Sequence, residues 1–144
     1  MPNRTVREII ANKKVLSAPA KTTVDAAARL MHQRKVGAML VVEKGRIVGI
    51  FTERDALFRV LAAGRDPHAT PLSEVMTADP QSIHPDKAFG HAMLMMYEGG
   101  FRHVPVVENG RPLGVVSARD ALGPELQAFE SEISNREHIR EILG

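Results

Sequence analysis

The sequence predicts an α+β fold: two β-α-β-β-α units in pseudo-twofold tandem, their sheets packed together, followed by a C-terminal helix. Three observations predict it. First, the stretch Gly49, Ile50, Phe51, Thr52, Glu53, Arg54, Asp55 returns 65 residues later as Gly114, Val115, Val116, Ser117, Ala118, Arg119, Asp120. Aligning 36–57 with 101–122 needs no gap and makes ten of the 22 pairs identical, and the same offset pairs Ser17 with Ser82, Ala27 with Ala92 and Met31 with Met96. Repetition of this kind is the signature of a duplicated structural unit. Second, each copy holds two short apolar, β-branched runs around a glycine-bearing turn, the pattern of a hairpin. Third, apolar residues recur at three- and four-residue steps just before each hairpin, the pattern of an amphipathic helix.

In chain order, residues 5–12 read as a short helix with Thr5 as its cap. Residues 15–17 are a short extended piece. Thr22 or Thr23 caps the next helix, with Asp25 in its favourable first turn. Its apolar stripe is Val24, Ala27, Ala28, Met31 and the stems of Arg34 and Lys35, and Gly37 ends it. Residues 39–42 form a strand, 43–46 a tight turn with Gly45, and 47–51 the partner strand. Thr52 caps a helix over 53–63 that Gly64 terminates.

Residues 65–71 are a polar linker with two prolines. Residues 72–76 start the second unit with a short helix, and Ile83 is a strand residue. Asp86 caps a helix over 87–98 whose stripe is Phe89, Ala92, Met93 and Met96; methionines at this spacing read as core packing. Residues 104–107, the turn 108–111 and residues 113–116 repeat the hairpin. After Gly123 and Pro124, residues 125–143 read as a helix that packs on the body or on a second copy. The boundaries are therefore 1–14 for an N-terminal helix and linker, 15–64 for the first unit, 65–79 for a linker with a short helix, 80–122 for the second unit, and 123–144 for the tail. One such unit would expose the apolar face of its hairpin. Packing two sheet to sheet buries it, worth about 25 cal/mol per Å2.

Composition narrows the function classes. A chain of 144 residues with 44% hydrophobic and 25% charged side chains is ordinary for a globular protein. No run of about eighteen apolar residues indicates a membrane span, and the start at Met1, Pro2, Asn3 has no apolar signal core. There is no cysteine, which excludes disulfides, zinc-thiolate sites and thiol catalysis and fits a cytoplasmic location. The net charge of +2 and six aromatic residues do not point to nucleic acid. The charge is uneven, however. The last 22 residues carry five acidic and two basic side chains, leaving about +5 on the rest. A basic cleft in the body would attract phosphates. His32, His68, His84, His91 and His138 show no metal-ligand spacing, and neither a phosphate-loop motif nor a nucleophile-base arrangement stands out. The chain is expected not to be an enzyme.

At its strand ends the chain resembles a tandem pair of CBS domains, the module named after cystathionine β-synthase. The motif Gly-x-x-(Thr/Ser)-x-x-Asp carries the resemblance as Gly49, Thr52, Asp55 and as Gly114, Ser117, Asp120. The approach to the second strand of the second unit (Phe101, Arg102, His103, Val104, Pro105, Val106, Val107) and the linker Leu72, Ser73, Glu74, Val75, Met76, Thr77 are similar to the family as well. The resemblance covers about residues 5–122. It implies a stand-alone regulatory pair with two inter-unit clefts for an adenosine-containing ligand: AMP, ADP, ATP, NAD or S-adenosylmethionine. It also implies a homodimer forming a four-unit disc, and an effector protein that reads the ligand state.

A ribose presents two adjacent hydroxyl donors, and an ionised carboxylate can accept from both, each bond being worth roughly 1.5–3 kcal/mol. Asp55 and Asp120 are the ribose candidates. Thr52 and Ser117 can cap the following turn and also reach ribose or phosphate. Arg54, Arg119, Arg102 and His103 are the phosphate candidates, though each arginine equally suits a surface ion pair. For adenine, the resemblance implies Thr23, Val24, Val36, Gly37, Ala38 and Met39 in the first cleft. In the second it implies Ile83, Phe101, Val104 and Pro105 beside Arg102 and His103. Gly37 and Ala38 stand where the second unit has Arg102 and His103, so the clefts are expected to differ. The competing reading is a ligand-free dimerisation or protein-interaction module.

Overall fold

The computed structural model describes residues 4–143; the first three residues, on which the reading of the chain start rests, and Gly144 lie outside the described residues. Two hairpins dominate the architecture. In the first unit β1 (Ser17–Ala18) runs parallel to β2 (Ala38–Glu43), which pairs antiparallel with β3 (Arg46–Thr52), and β3 takes β4 (Thr77–Ala78) on its other edge. In the second unit β5 (His103–Glu108) pairs with β6 (Arg111–Ser117), and Ile83 adds a single parallel bridge to Val106. The 65-residue offset holds down to irregularities. The register slips between Val41 and Val42 and again between Val106 and Val107, and the pair Ala18 with Val41 maps onto Ile83 with Val106. The same extra residue bends both hairpins, as a β-bulge does.

Helix α2 (Val24–Arg34) begins at Thr23, whose hydroxyl accepts from the Ala26 amide at 3.3 Å. It ends earlier than the sequence suggests: Lys35, not Gly37, takes the left-handed turn at φ 56°. Helix α4 (Phe89–Gly99) also starts later than expected. Asp86 does not cap it. The amide of Phe89 donates to the Arg4 carbonyl at 2.7 Å instead, while Asp86 pairs with Arg7. A main-chain acceptor brought from elsewhere in the fold makes a side-chain cap unnecessary. The predicted stripe of α4 is buried throughout, whereas in α2 only Val24, Ala27 and Met31 of the expected set are buried.

Helix α3 (Glu53–Asp55) follows β3 and widens into a π-helical stretch over Ala56–Leu61 before Gly64 turns left-handed at φ 71°. The second unit departs from the expected β-α-β-β-α order here. After β6 comes only a tight 3-10 turn, Ala118–Asp120, and then α5 (Gly123–Leu143). Pro124 sits where a helix continuing from Ser117 would need an amide donor, so the chain restarts in a new direction. Phe129 anchors α5 on α4, its ring edge-on to Tyr97 at 6.2 Å, and Ile133 packs partly on the same core; Ile139, Ile142 and Leu143 are exposed.

The packing crosses between units. Residues 72–76 open the second unit in the chain, yet Leu72 and Val75 are buried among Val24, Met31, Met39, Val41 and Phe51 of the first. Helix α1 (Val6–Ile10), capped by Thr5, buries Val6, Ile9 and Ile10 among Phe89, Met93, Met96, Val104 and Val116 of the second. Each segment lies close over a strand glycine. A methyl group at Gly49 would meet Met76 Sδ at 2.4 Å, and one at Gly114 would meet Ile10 at 3.2 Å. Between the sheets a small apolar seam of Ala38, Leu40 and Ile50 meets Val115.

Candidate ligand clefts

A cavity opens on each side of that seam, one of about 750 Å3 over Asp120 and one of about 920 Å3 over Asp55. Both are of the size that holds a small organic ligand. Each takes its acidic turn from one unit and the facing wall from the other. The Asp120 cavity sets Ser117, Arg119 and Asp120 against Val36, Gly37 and Ala38. The Asp55 cavity sets Thr52, Arg54 and Asp55 against Phe101, Arg102 and His103. The sequence placed Val36, Gly37 and Ala38 in one cleft and Phe101, Arg102 and His103 in the other without assigning an aspartate to either; the structure sets each group against the aspartate of the other unit. Glu53, Arg102 and His103 line both cavities and form the partition.

The two acidic turns are built alike. In the first, the Asp55 amide donates to Thr52 Oγ1 at 3.2 Å, while Asp55 Oδ2 accepts from the Thr52 amide at 3.0 Å and from its hydroxyl at 3.1 Å. In the second, Asp120 Oδ2 accepts from the Ser117 amide at 2.7 Å and from its hydroxyl at 3.4 Å. This is a capping box that fixes the carboxylate. One oxygen of each aspartate is thus engaged by its own turn, and Oδ1 is the oxygen left for partners outside it. Asp55 Oδ1 lies 3.5 Å from Thr77 Oγ1 and 3.5 Å from Arg59 Nε. Asp120 Oδ1 is held by Lys13 Nζ. The side chains are only 8% and 16% exposed, so a partner must come in through the cavity.

Six of the predicted wall residues line neither cavity. Thr23 caps α2. Val24 and Met39 lie in the core of the first unit, and Ile83 and Val104 in that of the second. Pro105 is buried and accepts from the Ile83 amide at 2.9 Å. For the strand residues the reason is the pleat: Ala38 faces the seam, so Met39 must face α2. Val36 lines its cavity and is 41% exposed. At Gly37 a methyl group would lie 2.9 Å from Glu53 Oε1 and 3.3 Å from His103 Nε2, so a side chain there would have to displace the exposed Glu53 carboxylate.

Several wall residues escaped the sequence reading. They include Lys13, Lys14, Val15, Leu16, Arg34 and Lys35 in the Asp120 cavity, and Leu57, Phe58, Arg59, Asp79, Pro80 and Gln81 in the Asp55 cavity. The offset that pairs Ser17 with Ser82 also sets Val15 and Leu16 against Pro80 and Gln81, so the repeat held a signal for them. His103 is pushed below its ordinary value of 6.5, chiefly by burial and further by Arg102 and Lys13, with Glu53 and Asp120 opposing. It is a neutral imidazole near pH 7.

Away from the clefts, folding brings His84, Asp86 and Glu108 together, their ligand atoms within 4.8 Å of one another, although their spacing in the chain gives no hint of it. Arg7 bridges the two carboxylates at 3.0 and 2.9 Å, and His84 Nδ1 accepts from the Asp86 amide at 3.1 Å. The trio is a surface ion-pair network around an arginine. Among the described residues no helix is long and apolar enough to cross a membrane.

Two interlocked hairpin units with a capped aspartate facing each inter-unit cavity make a paired module. The CBS domain family profile matches residues 6–62 and 72–123, and the chain belongs to that family. A CBS domain-containing protein of Arabidopsis thaliana, CBSCBSPB3, is 36% identical over 128 residues, 88% of this chain and 23% of that protein. The chain thus spans less than a quarter of the length of that relative. The CBS domain-containing protein YhcV of Bacillus subtilis (strain 168) is 36% identical over 107 residues, 74% of this chain and 76% of that protein. Among solved structures, the CBS-domain containing protein ATU1752 from Agrobacterium tumefaciens superposes with TM-score 0.73 at 33% identity, covering 81% of this chain and 94% of that one. The CBS domain pair of protein MJ0100, in complex with 5′-methylthioadenosine and S-adenosyl-L-methionine, gives TM-score 0.72 at 26% identity, with coverage of 83% and 93%. PAE2072 from Pyrobaculum aerophilum, complexed with AMP, shares the fold with TM-score 0.78 at 24% identity, covering 88% and 98%.

Proposed function

We propose that this chain is a regulatory module that binds an adenosine-containing ligand between its two units and passes the ligand state to a partner, or through a homodimer. The observation that carries this is the duplicated turn. Asp55 and Asp120 each keep one oxygen engaged by their own turn and present the other at an inter-unit cavity. A ribose hydroxyl donates to that oxygen. Its neighbour donates to the Thr52 or Ser117 hydroxyl oxygen, which keeps a lone pair while its own proton is given to Oδ2. Small or apolar walls at Gly37, Ala38 and Phe101 suit the faces of an adenine, and the cavity arginines suit phosphate. The adenosine ligands of the MJ0100 pair have this chemistry. AMP, ADP, ATP, NAD and S-adenosylmethionine are all candidates. Leu57, Phe58 and Leu61, 50%, 60% and 73% exposed on the π-helical stretch, give a homodimer an apolar surface to cover.

Saturating ligand raises the melting temperature by mass action. Asp55→Asn and Asp120→Asn keep an acceptor for the capping box yet remove the charge, so each weakens one cavity by about 2 kcal/mol, roughly thirtyfold in affinity, and shrinks its share of the shift. If no candidate shifts the melting curve of the unsubstituted chain, the interaction-module reading stands in its place. The exposed Ile139, Ile142 and Leu143 of α5 are the observation that favours it.

A further inference from the structure

We infer that the Asp120 cavity is a polyphosphate site, whereas the Asp55 cavity takes a ligand with one phosphate or none. The inference rests on reading the clefts as adenosine sites and assigns a ligand class to each. The Asp120 cavity is lined by Lys13, Lys14, Arg34, Lys35, Arg102 and Arg119, against only two carboxylates, Glu53 and Asp120. Of the six cations Lys13 alone has a carboxylate partner among the described residues, and that partner is Asp120 itself. A helix C-terminus attracts cations unaided, which accounts for Arg34 and Lys35 at the end of α2. It does not account for the others. Lys13 and Lys14 follow α1, Arg102 precedes β5 and Arg119 lies in the turn after β6. Four separate segments therefore converge unpaired positive charge on one hollow, where a low-dielectric wall strengthens its field.

The Asp55 cavity is balanced, with Arg54, Arg59 and Arg102 against Glu53, Asp55 and Asp79. Two of those arginines are already engaged. Arg54 Nη1 donates to the Gly100 carbonyl at 3.1 Å and Arg59 Nη1 to the Met76 carbonyl at 2.8 Å. Leu57, Phe58 and Phe101 make much of the remaining wall apolar. A phosphate chain there would lose its hydration with little positive charge in return. In the Asp120 cavity the opposite holds, and a ribose that displaces Lys13 from Asp120 releases one more ammonium to the phosphates.

The test is calorimetric titration of the full chain with adenosine, AMP, ATP and inorganic tripolyphosphate, without divalent cations. Asp55→Asn isolates the Asp120 cavity and Asp120→Asn isolates the other. In the Asp55→Asn protein ATP is expected to bind at least about tenfold more tightly than AMP, the equivalent of one further charge-assisted hydrogen bond. That preference weakens with added salt. Adding Lys14→Gln and Arg34→Gln, both at exposed positions without a carboxylate partner among the described residues, brings the ATP-to-AMP ratio towards one. In the Asp120→Asn protein AMP and adenosine bind at least as well as ATP. Equal affinities for AMP and ATP in the Asp55→Asn protein, or a ratio that the two glutamines leave unchanged, overturn the inference while leaving the adenosine reading intact. Tripolyphosphate binding to the Asp120 cavity with no binding of adenosine or AMP anywhere supports the polyphosphate site and removes the adenosine reading. Binding of none of the four ligands overturns both.

Discussion

His103 is the side chain through which the two cavities share a wall, and its proton is the most informative single group. Burial holds it below 6.5 despite the nearby Glu53 and Asp120, so the folded protein is neutral there while an unfolded chain takes up a proton as pH falls through 6.5. The contribution to stability is therefore complete above that pH and is lost as pH falls towards the lower folded value. Denaturation midpoints between pH 7 and pH 5 should decline less steeply in His103→Asn than in the unsubstituted protein. A phosphate placed against the ring favours its charged form, so ATP binding should draw in a proton. Titrations in two buffers of different ionisation heat measure that uptake. An uptake equal in His103→Asn would show that the proton goes elsewhere, for instance to the phosphate itself.

At the scale of elements, α5 is tied to the acidic turn of the second unit by one arginine. Arg4 Nη2 donates to the Asp120 carbonyl at 2.8 Å and to Glu125 Oε1 at 2.7 Å, and its Nε donates to Glu125 Oε2 at 3.1 Å. Glu125 also accepts from the Leu122 amide at 2.9 Å. Burial pushes the Glu125 carboxyl up, but the Arg4 and Leu122 bonds outweigh it and leave it below its ordinary value of 4.5. The clamp is thus at full strength above that pH and fails on acidification through the lower folded value. Arg4→Ala should cost about 1–2 kcal/mol of local stability, read as faster amide exchange over residues 123–133 with the two hairpins unchanged. Because the same arginine grips the Asp120 carbonyl, ligand at Asp120 should slow that exchange, and should do so less in Arg4→Ala. Such a result would make α5 the element that carries the ligand state outward.

Much of this element layer was legible in the chain. Hairpins, the Thr5 and Thr52 caps and the α4 stripe follow from local pattern and turn chemistry, which neighbouring residues determine by themselves; for α2 the sequence offered Thr22 or Thr23, and Thr23 is the cap. The duplicated aspartates were legible for the same reason. What escaped depends on distance. Asp86 is a sound cap by composition, yet Arg4 supplies the acceptor from 85 residues away in the chain. Met39 could have been assigned to the core from strand alternation alone. The crossing of walls between units could not, because nothing within 36–38 or 101–103 says which aspartate it will face.

That crossing governs the molecule as a whole. Cutting the chain at its repeat boundary would leave each half without part of its own core, since α1 completes the second unit and residues 72–78 complete the first. The halves also share the seam at Leu40, Ile50 and Val115 and the partition at Glu53 and His103. Two units so interlocked should unfold as one. Leu72 is fully buried in the first unit's core, and its amide donates to the Thr22 carbonyl at 2.8 Å. Leu72→Ala therefore removes core volume while keeping the backbone bond, at a cost of about 2–5 kcal/mol. In an interlocked pair that cost reaches both hairpins. Amide exchange in denaturant should move by the same amount in β5 and β6 as in β2 and β3, with one transition by every probe. If β2 and β3 opened alone, leaving β5 and β6 protected, the halves would be separable domains. The cavities would then be clefts between independent bodies, and ligand would act by holding them together rather than by reshaping one cooperative unit.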